Sequence, residues 1–172
     1  MKLRVLFILV ITVYLNSIAW ALSDRLFTDK VANYQIMLLG DWQQVSYTDA
    51  VGRRKTEFVF HSRREGLLTI AKERPAGRSL QDKVHLDLSD MRLNYACVFS
   101  SEEPFSGGQL SGIRVALYFL QDVRKVAATY YYLQDADSVW VLRFTGEPGS
   151  TGVSQETTDR MARSFCSVCP LL

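Results

Sequence analysis

The sequence predicts an α+β fold, an antiparallel β-sheet with helices packed on it. Three observations carry this. Three long segments in the second half are dominated by β-branched and aromatic residues and joined by short polar turns. Two other segments repeat apolar residues at helical spacing. The elements run strands, helix, strands, helix, and most strand-to-strand links are too short for the crossover that parallel strands need.

Taken in order, residues 34–38 read as a short buried strand, Gly40-Asp41 as a turn, and 42–47 as a strand alternating apolar and polar. Residues 49–52 form a loop. Residues 56–61 and 67–72 make two strands joined through 62–66, a hairpin connection with Gly66 at its end. Pro75-Ala76-Gly77 ends the second of these. Ser79 starts a helix, with Asp82 three positions on to complete a reciprocal cap. Leu80, Val84, Leu88, Met91 and Tyr95 follow on one helical face. Residues 97–100 add a short strand. The three long strands are 113–121, 126–133 and 139–145. A last helix over about 153–165 places Val153, Thr157, Met161 and Phe165 at a strict four-residue step.

Residues 1–21 read as a secretory signal peptide. Lys2 and Arg4 precede an apolar run, Asn16 and Ser17 break it, and Ala19-Trp20-Ala21 supplies small residues before a cleavage point. The run is too short for a permanent span, which takes about 20 residues. The expectation is an exported protein, periplasmic or extracellular, whose residues 22–172 form one domain; the alternative is an N-terminal membrane anchor. The signal holds two of the 20 basic residues and none of the 18 acidic ones, so the domain is formally neutral. That gives no global attraction for nucleic acid.

The stretch Tyr34-x-Ile36-x-Leu38-x-Gly40-Asp41-Trp42 resembles the opening motif of PsbP-like and DcrB-like proteins. Residues 130–144 are similar to their paired central strands, and Met161-Ala-Arg-Ser-Phe165 to their terminal helix. The resemblance spans most of residues 22–172. It implies an α/β/α sandwich with an antiparallel sheet and a non-catalytic accessory or binding role, often extracytoplasmic. One departure stands out: Leu39-Gly40 occupies the place where that family usually has proline.

Candidate sites are few. Cys166-Ser-Val-Cys169 follows the end of a helix, where the dipole opposes a thiolate, so the pair reads as structural before it reads as redox-active. Cys97 could link to Cys166 or Cys169, or the latter two could bridge each other. Hydrolase and phosphate-loop motifs are missing: Gly108-Gln-Leu-Ser-Gly112 lacks the spacing of a nucleophile elbow, and 146–152 contains no lysine. Tyr130 and Tyr132 share one sheet face and read mainly as core; if that face is uncovered they form an aromatic surface. Arg53, Arg54, Lys55, Arg63, Arg64, Arg74 and Arg78 concentrate positive charge between residues 51 and 80, reading as a solvated hairpin or as a patch for an anionic membrane surface or acidic partner.

The functional expectation is an exported, non-catalytic accessory or binding protein of the cell envelope, with no cofactor and no metal. It would act on a protein or small ligand through a surface. The alternatives are a thiol–disulfide protein using Cys166 and Cys169, and a membrane-surface protein using the basic 53–78 segment.

Overall fold

The computed structural model describes residues 24–52, 54–74, 77–136 and 138–167. The expected signal peptide and Cys169 lie outside the described residues, as does Arg53.

The main sheet has seven strands, all pairings antiparallel. Three come from the first half: β3 (Trp42–Thr48), β4 (Arg54–Phe60) and β5 (Leu67–Glu73). Four come from the second: β6 (Cys97–Phe105), β7 (Gly112–Gln121), β8 (Arg124–Asp135) and β9 (Ser138–Gly146). Their spatial order is β3-β4-β5-β9-β8-β7-β6. Hairpins join neighbours on each side, and the halves meet where β5 pairs with β9 from Leu67↔Thr145 to Glu73↔Val139. A second sheet is built from β1 (Arg25–Asp29), β2 (Tyr34–Leu38) and β10 (Cys166–Ser167), with β2 in the middle.

Helix α1 (Leu80–Asn94) covers one face of the main sheet. It starts as the sequence predicts: the Ser79 hydroxyl accepts from the Asp82 N–H, and the Asp82 carboxylate accepts from the Ser79 N–H. Val84 and Leu88 are buried against Val115, Leu117, Tyr132 and Val141. Tyr95 falls just past the helix end, in extended backbone, and is exposed rather than part of the apolar face.

The other face packs against the small sheet and helix α2 (Gln155–Arg163). This end of the chain differs from the expected helix over 153–165. Ser154 caps the helix by accepting from the Thr157 N–H, and a 3₁₀ turn, Thr151–Val153, precedes it. The buried residues are Thr158, Met161 and Ala162 rather than the four-residue step through Thr157. Phe165 is buried beyond the helix, between Tyr34 and Trp140 at ring separations of 5.6 and 5.2 Å.

Gly40 adopts φ +90° between β2 and β3, a conformation glycine reaches freely and proline cannot, and so accommodates the departure from the proline pattern at this turn. On the outer strand β6, the register slips between Phe99 and Ser101, and Pro104 sits opposite Ile113.

Candidate functional site

The main candidate is a cleft that opens inside the sheet. Hairpin β4–β5 pairs only through Val59↔Leu67, Phe58↔Leu68 and Glu57↔Thr69. Beyond Glu57, β4 stays with β3 down to Thr48↔Arg54, while β5 stays with β9 up to Glu73. Each strand follows its outer neighbour, and the two diverge. The wedge between them merges with the space under the β1–β2 turn to give a cavity of about 800 Å³.

Phe27 and Tyr34 of the small sheet and Ile70 of β5 form its apolar part. Phe27 is fixed edge-on to Phe58 at 4.8 Å, and Tyr34 edge-on to Trp140 at 5.5 Å. Burial, reinforced by the nearby Asp29 charge, raises the Tyr34 phenol well above its ordinary value, so it stays neutral. Val31, at the tip of the β1–β2 turn, is 92 % exposed on the rim.

Of the charged groups that line the cleft, Arg143 is engaged by Glu73 at 2.9 Å, and the others divide by sign. The two carboxylates are engaged. Asp29 accepts from the Val31 and Ala32 N–H groups, both at 2.9 Å. Glu57 accepts from the Tyr47 hydroxyl at 2.7 Å and pairs with Arg63 at 2.9 Å. The hydrogen bond to Glu57 is the main reason the Tyr47 phenol lies above its ordinary pKa. Lys30 and Lys55 have no ion-pair partner among the described residues. Lys72 lies over the Trp140 ring and is only 3.9 Å from Asp135. The cleft therefore presents positive charge above an apolar floor.

A smaller hollow of about 280 Å³ lies at the C-terminal end of α1, lined by Asp87, Asp90, Met91, Tyr130 and Arg143 among others. Beside it, between α1 and the sheet, is a four-charge network. Lys83 bonds Glu73 at 2.7 Å and also Asp87; Arg143 bonds Glu73 at 2.9 Å and lies 3.6 Å from Asp87. Two cations face two carboxylates, so the network is closed on itself and holds α1 to the sheet. Burial works to raise the Glu73 pKa, but the bonds from Lys83 and Arg143 outweigh it and hold the carboxyl below its ordinary value. A depressed folded-state pKa stabilises above the unfolded value and is lost as pH falls through the folded one. Wild-type stability to urea is thus expected to fall more steeply than that of Glu73→Gln as pH drops below about 4.3, with the two curves running parallel at neutral pH.

A second polar cluster anchors α2. Arg114, only 6 % exposed, bonds Glu103 at 2.7 Å and lies 3.5 Å from Asp159. The Tyr131 hydroxyl donates to Asp159 at 2.6 Å and lies 2.8 Å from the Thr158 hydroxyl. Burial first, and the Asp159 bond second, push the Tyr131 phenol far up. Its proton stays on as a donor.

Several residues singled out from the sequence take other roles. Tyr130 and Tyr132 are 7 % and 0 % exposed beneath α1, so they form core and no open aromatic surface. The basic segment is dispersed. Arg63 is used by Glu57, Arg64 sits on the hairpin turn, and Arg74 and Arg78 are exposed past the far end of β5. Of that group only Lys55 lines the cleft; the Arg54 side chain lies outside what is described. Cys97 is a free thiol, so it makes no link to Cys166 or Cys169, and Cys166 is buried in β10. Among the described residues no three His, Cys, Asp or Glu side chains converge to hold a metal ion. The cleft itself escaped sequence reading, as did Lys30 and Val31. No local signal marks them: Lys30 and Val31 lie in a short turn, and what that turn faces is set only by the tertiary fold.

No protein-family model and no curated protein sequence matches the chain. Solved structures do. The cyanobacterial PsbP (CyanoP) of Synechocystis sp. PCC 6803 aligns over 84 % of this chain and 92 % of its own, at 14 % identity and a TM-score of 0.61. The Ran-binding protein Mog1p of Saccharomyces cerevisiae covers 84 % and 95 %, at 10 % identity and 0.60. PA94 of Pseudomonas aeruginosa, a protein of unknown function, covers 82 % and 94 %, at 9 % identity and 0.53. Identities this low speak to architecture alone. With α1 on one face of an antiparallel sheet and α2 on the other, this chain has the PsbP-like fold.

Proposed function

We propose that this is an exported, non-catalytic accessory or binding protein of the cell envelope, and that the cleft between β4 and β5 is its binding surface. The observation that carries the reading is the cleft's composition: about 800 Å³, apolar floor, and two lysines without an ion-pair partner among the described residues. Concave sites with few polar groups on an apolar lining are where ligands and partners settle. Mog1p, of the same fold, is a Ran-binding protein, which supports a protein partner without naming one.

Site-specific crosslinking tests this. Benzoylphenylalanine at position 31, on the cleft rim, is expected to give a discrete adduct in the native cell. The same group at position 93, exposed on α1 away from the cleft, is expected to give none. Identical adducts from both positions would sink the reading.

Export and disulfide formation form part of the same proposal. The three-part layout of residues 1–21 supports removal before Leu22. The free Cys97 thiol leaves Cys166 and Cys169 as the pair that an oxidising compartment would bridge. Intact mass of the protein recovered from cells is expected to match a chain beginning at Leu22, with one alkylatable thiol before reduction and three after. Three reactive thiols before reduction would contradict the bridge.

A further inference from the structure

Hairpin β4–β5 is an unfinished ladder. The Phe60 N–H donates to the Gly66 carbonyl at 2.9 Å. In an antiparallel pair every second residue turns its N–H and C=O to the partner. Counting from Phe60 and Gly66, the residues that address each other are Phe58 with Leu68, then Thr56 with Ile70. The first pair is made and the second is not, because registered pairing ends at Glu57↔Thr69. By the same alternation Thr69, Ala71 and Glu73 turn to β9, so the backbone groups of Ile70 and Lys72 face the cleft. An open strand edge is a template for another strand.

The side chains around this edge narrow the occupant. Lys30, Lys55 and Lys72 surround it, while Asp29 is occupied by the turn amides and Glu57 by Arg63. Phe27 and Ile70 provide an apolar surface on one side, with Lys72 further along that same side over Trp140, while strand alternation turns Lys55 to the opposite side. An extended segment alternates its side chains between two faces, so one with apolar residues on one face and carboxylates on the other satisfies both.

We infer that the free edge of β5 receives an extended acidic peptide segment of a partner protein as an added strand. The inference rests on the cleft being the binding surface. Backbone pairing with Ile70 and Lys72 supplies affinity, and the three lysines select for negative charge.

The test uses ¹⁵N-labelled protein and an acetylated, amidated hexapeptide alternating glutamate and valine. Its counterparts are a lysine–valine hexapeptide and two glutamate–valine versions, N-methylated either at the valines or at the glutamates. The acidic peptide is expected to slow amide exchange at Ile70 and Lys72 and to bind about tenfold or more tighter than the lysine peptide. At least one of the two methylation patterns is expected to abolish that protection. The double variant Lys30→Glu/Lys55→Glu, at two exposed positions, is expected to weaken binding about tenfold. If the acidic peptide shifts rim residues such as Val31 and Lys55 but leaves Ile70 and Lys72 exchanging freely, strand addition is wrong while the cleft remains a binding surface. No response to the peptide, with the position-31 crosslink intact, overturns this inference alone; loss of both overturns the cleft as well.

Discussion

Replacing Arg114 by alanine is expected to destabilise the protein by about 3–5 kcal/mol, the range for removing one partner of a buried ion pair. The reason is what the substitution leaves behind. Asp159 lies between α2 and the sheet with Arg114 at 3.5 Å and the Tyr131 hydroxyl at 2.6 Å. Without the guanidinium the carboxylate keeps one neutral donor and little water. Arg114→Met refills the volume and is expected to be nearly as damaging, which separates the charge from the packing. Adding Asp159→Asn to either variant removes the stranded charge and is expected to restore a large part of the loss. A urea midpoint for each corner of that cycle reads the coupling directly. Additive effects within about 0.5 kcal/mol would show that the two side chains act independently.

Trp140→Ala is expected to cost about 3–5 kcal/mol, as for other buried tryptophans truncated in a core. Trp140 is the hub through which the large sheet meets the small one: its ring contacts Tyr34 and Phe165, and its Nε1–H donates to Asp135 at 3.0 Å. Trp140→Phe keeps most of the ring contact and loses the hydrogen bond, so its cost is expected near 1 kcal/mol. The alanine variant should also detach Tyr34 from the cleft wall. Crosslinking from position 31 is then expected to weaken under conditions where the variant is still folded. In the phenylalanine variant it should persist.

How much of this was legible beforehand depends on the range of the forces involved. The Ser79–Asp82 cap is a three-residue device and is found as read. So are the long strands, whose β-branched and aromatic content marks them wherever they pair. The last helix misled because Met161 and Phe165 do fit a four-residue step, while Ser154 starts the helix too late for Val153 to share that face. Phe165 is buried for another reason, its place at the entry to β10. Strand β1 has one partly buried apolar residue, Phe27, and shows no alternation to read; it exists because β2 offers it an edge. The cleft was invisible for the converse reason. The patterns of β4 and β5 continue past Glu57 and Thr69 as if pairing went on, and only competition from β3 and β9 opens the gap. Arg114, Tyr131 and Asp159 come from three separate elements, and nothing local links them.

The slip between Phe99 and Ser101, together with Pro104, bears on how the molecule behaves in a crowded compartment. An open sheet of seven strands ends in rims that can zip to other copies and seed insoluble aggregates. A bulge skews the outermost rim and proline withholds one donor from it, so copies cannot stack there in continuous register. Straightening that rim, by deleting Ser100 and replacing Pro104 with valine, should turn a protein that stays dispersed on concentration into one that precipitates while its fold is unchanged.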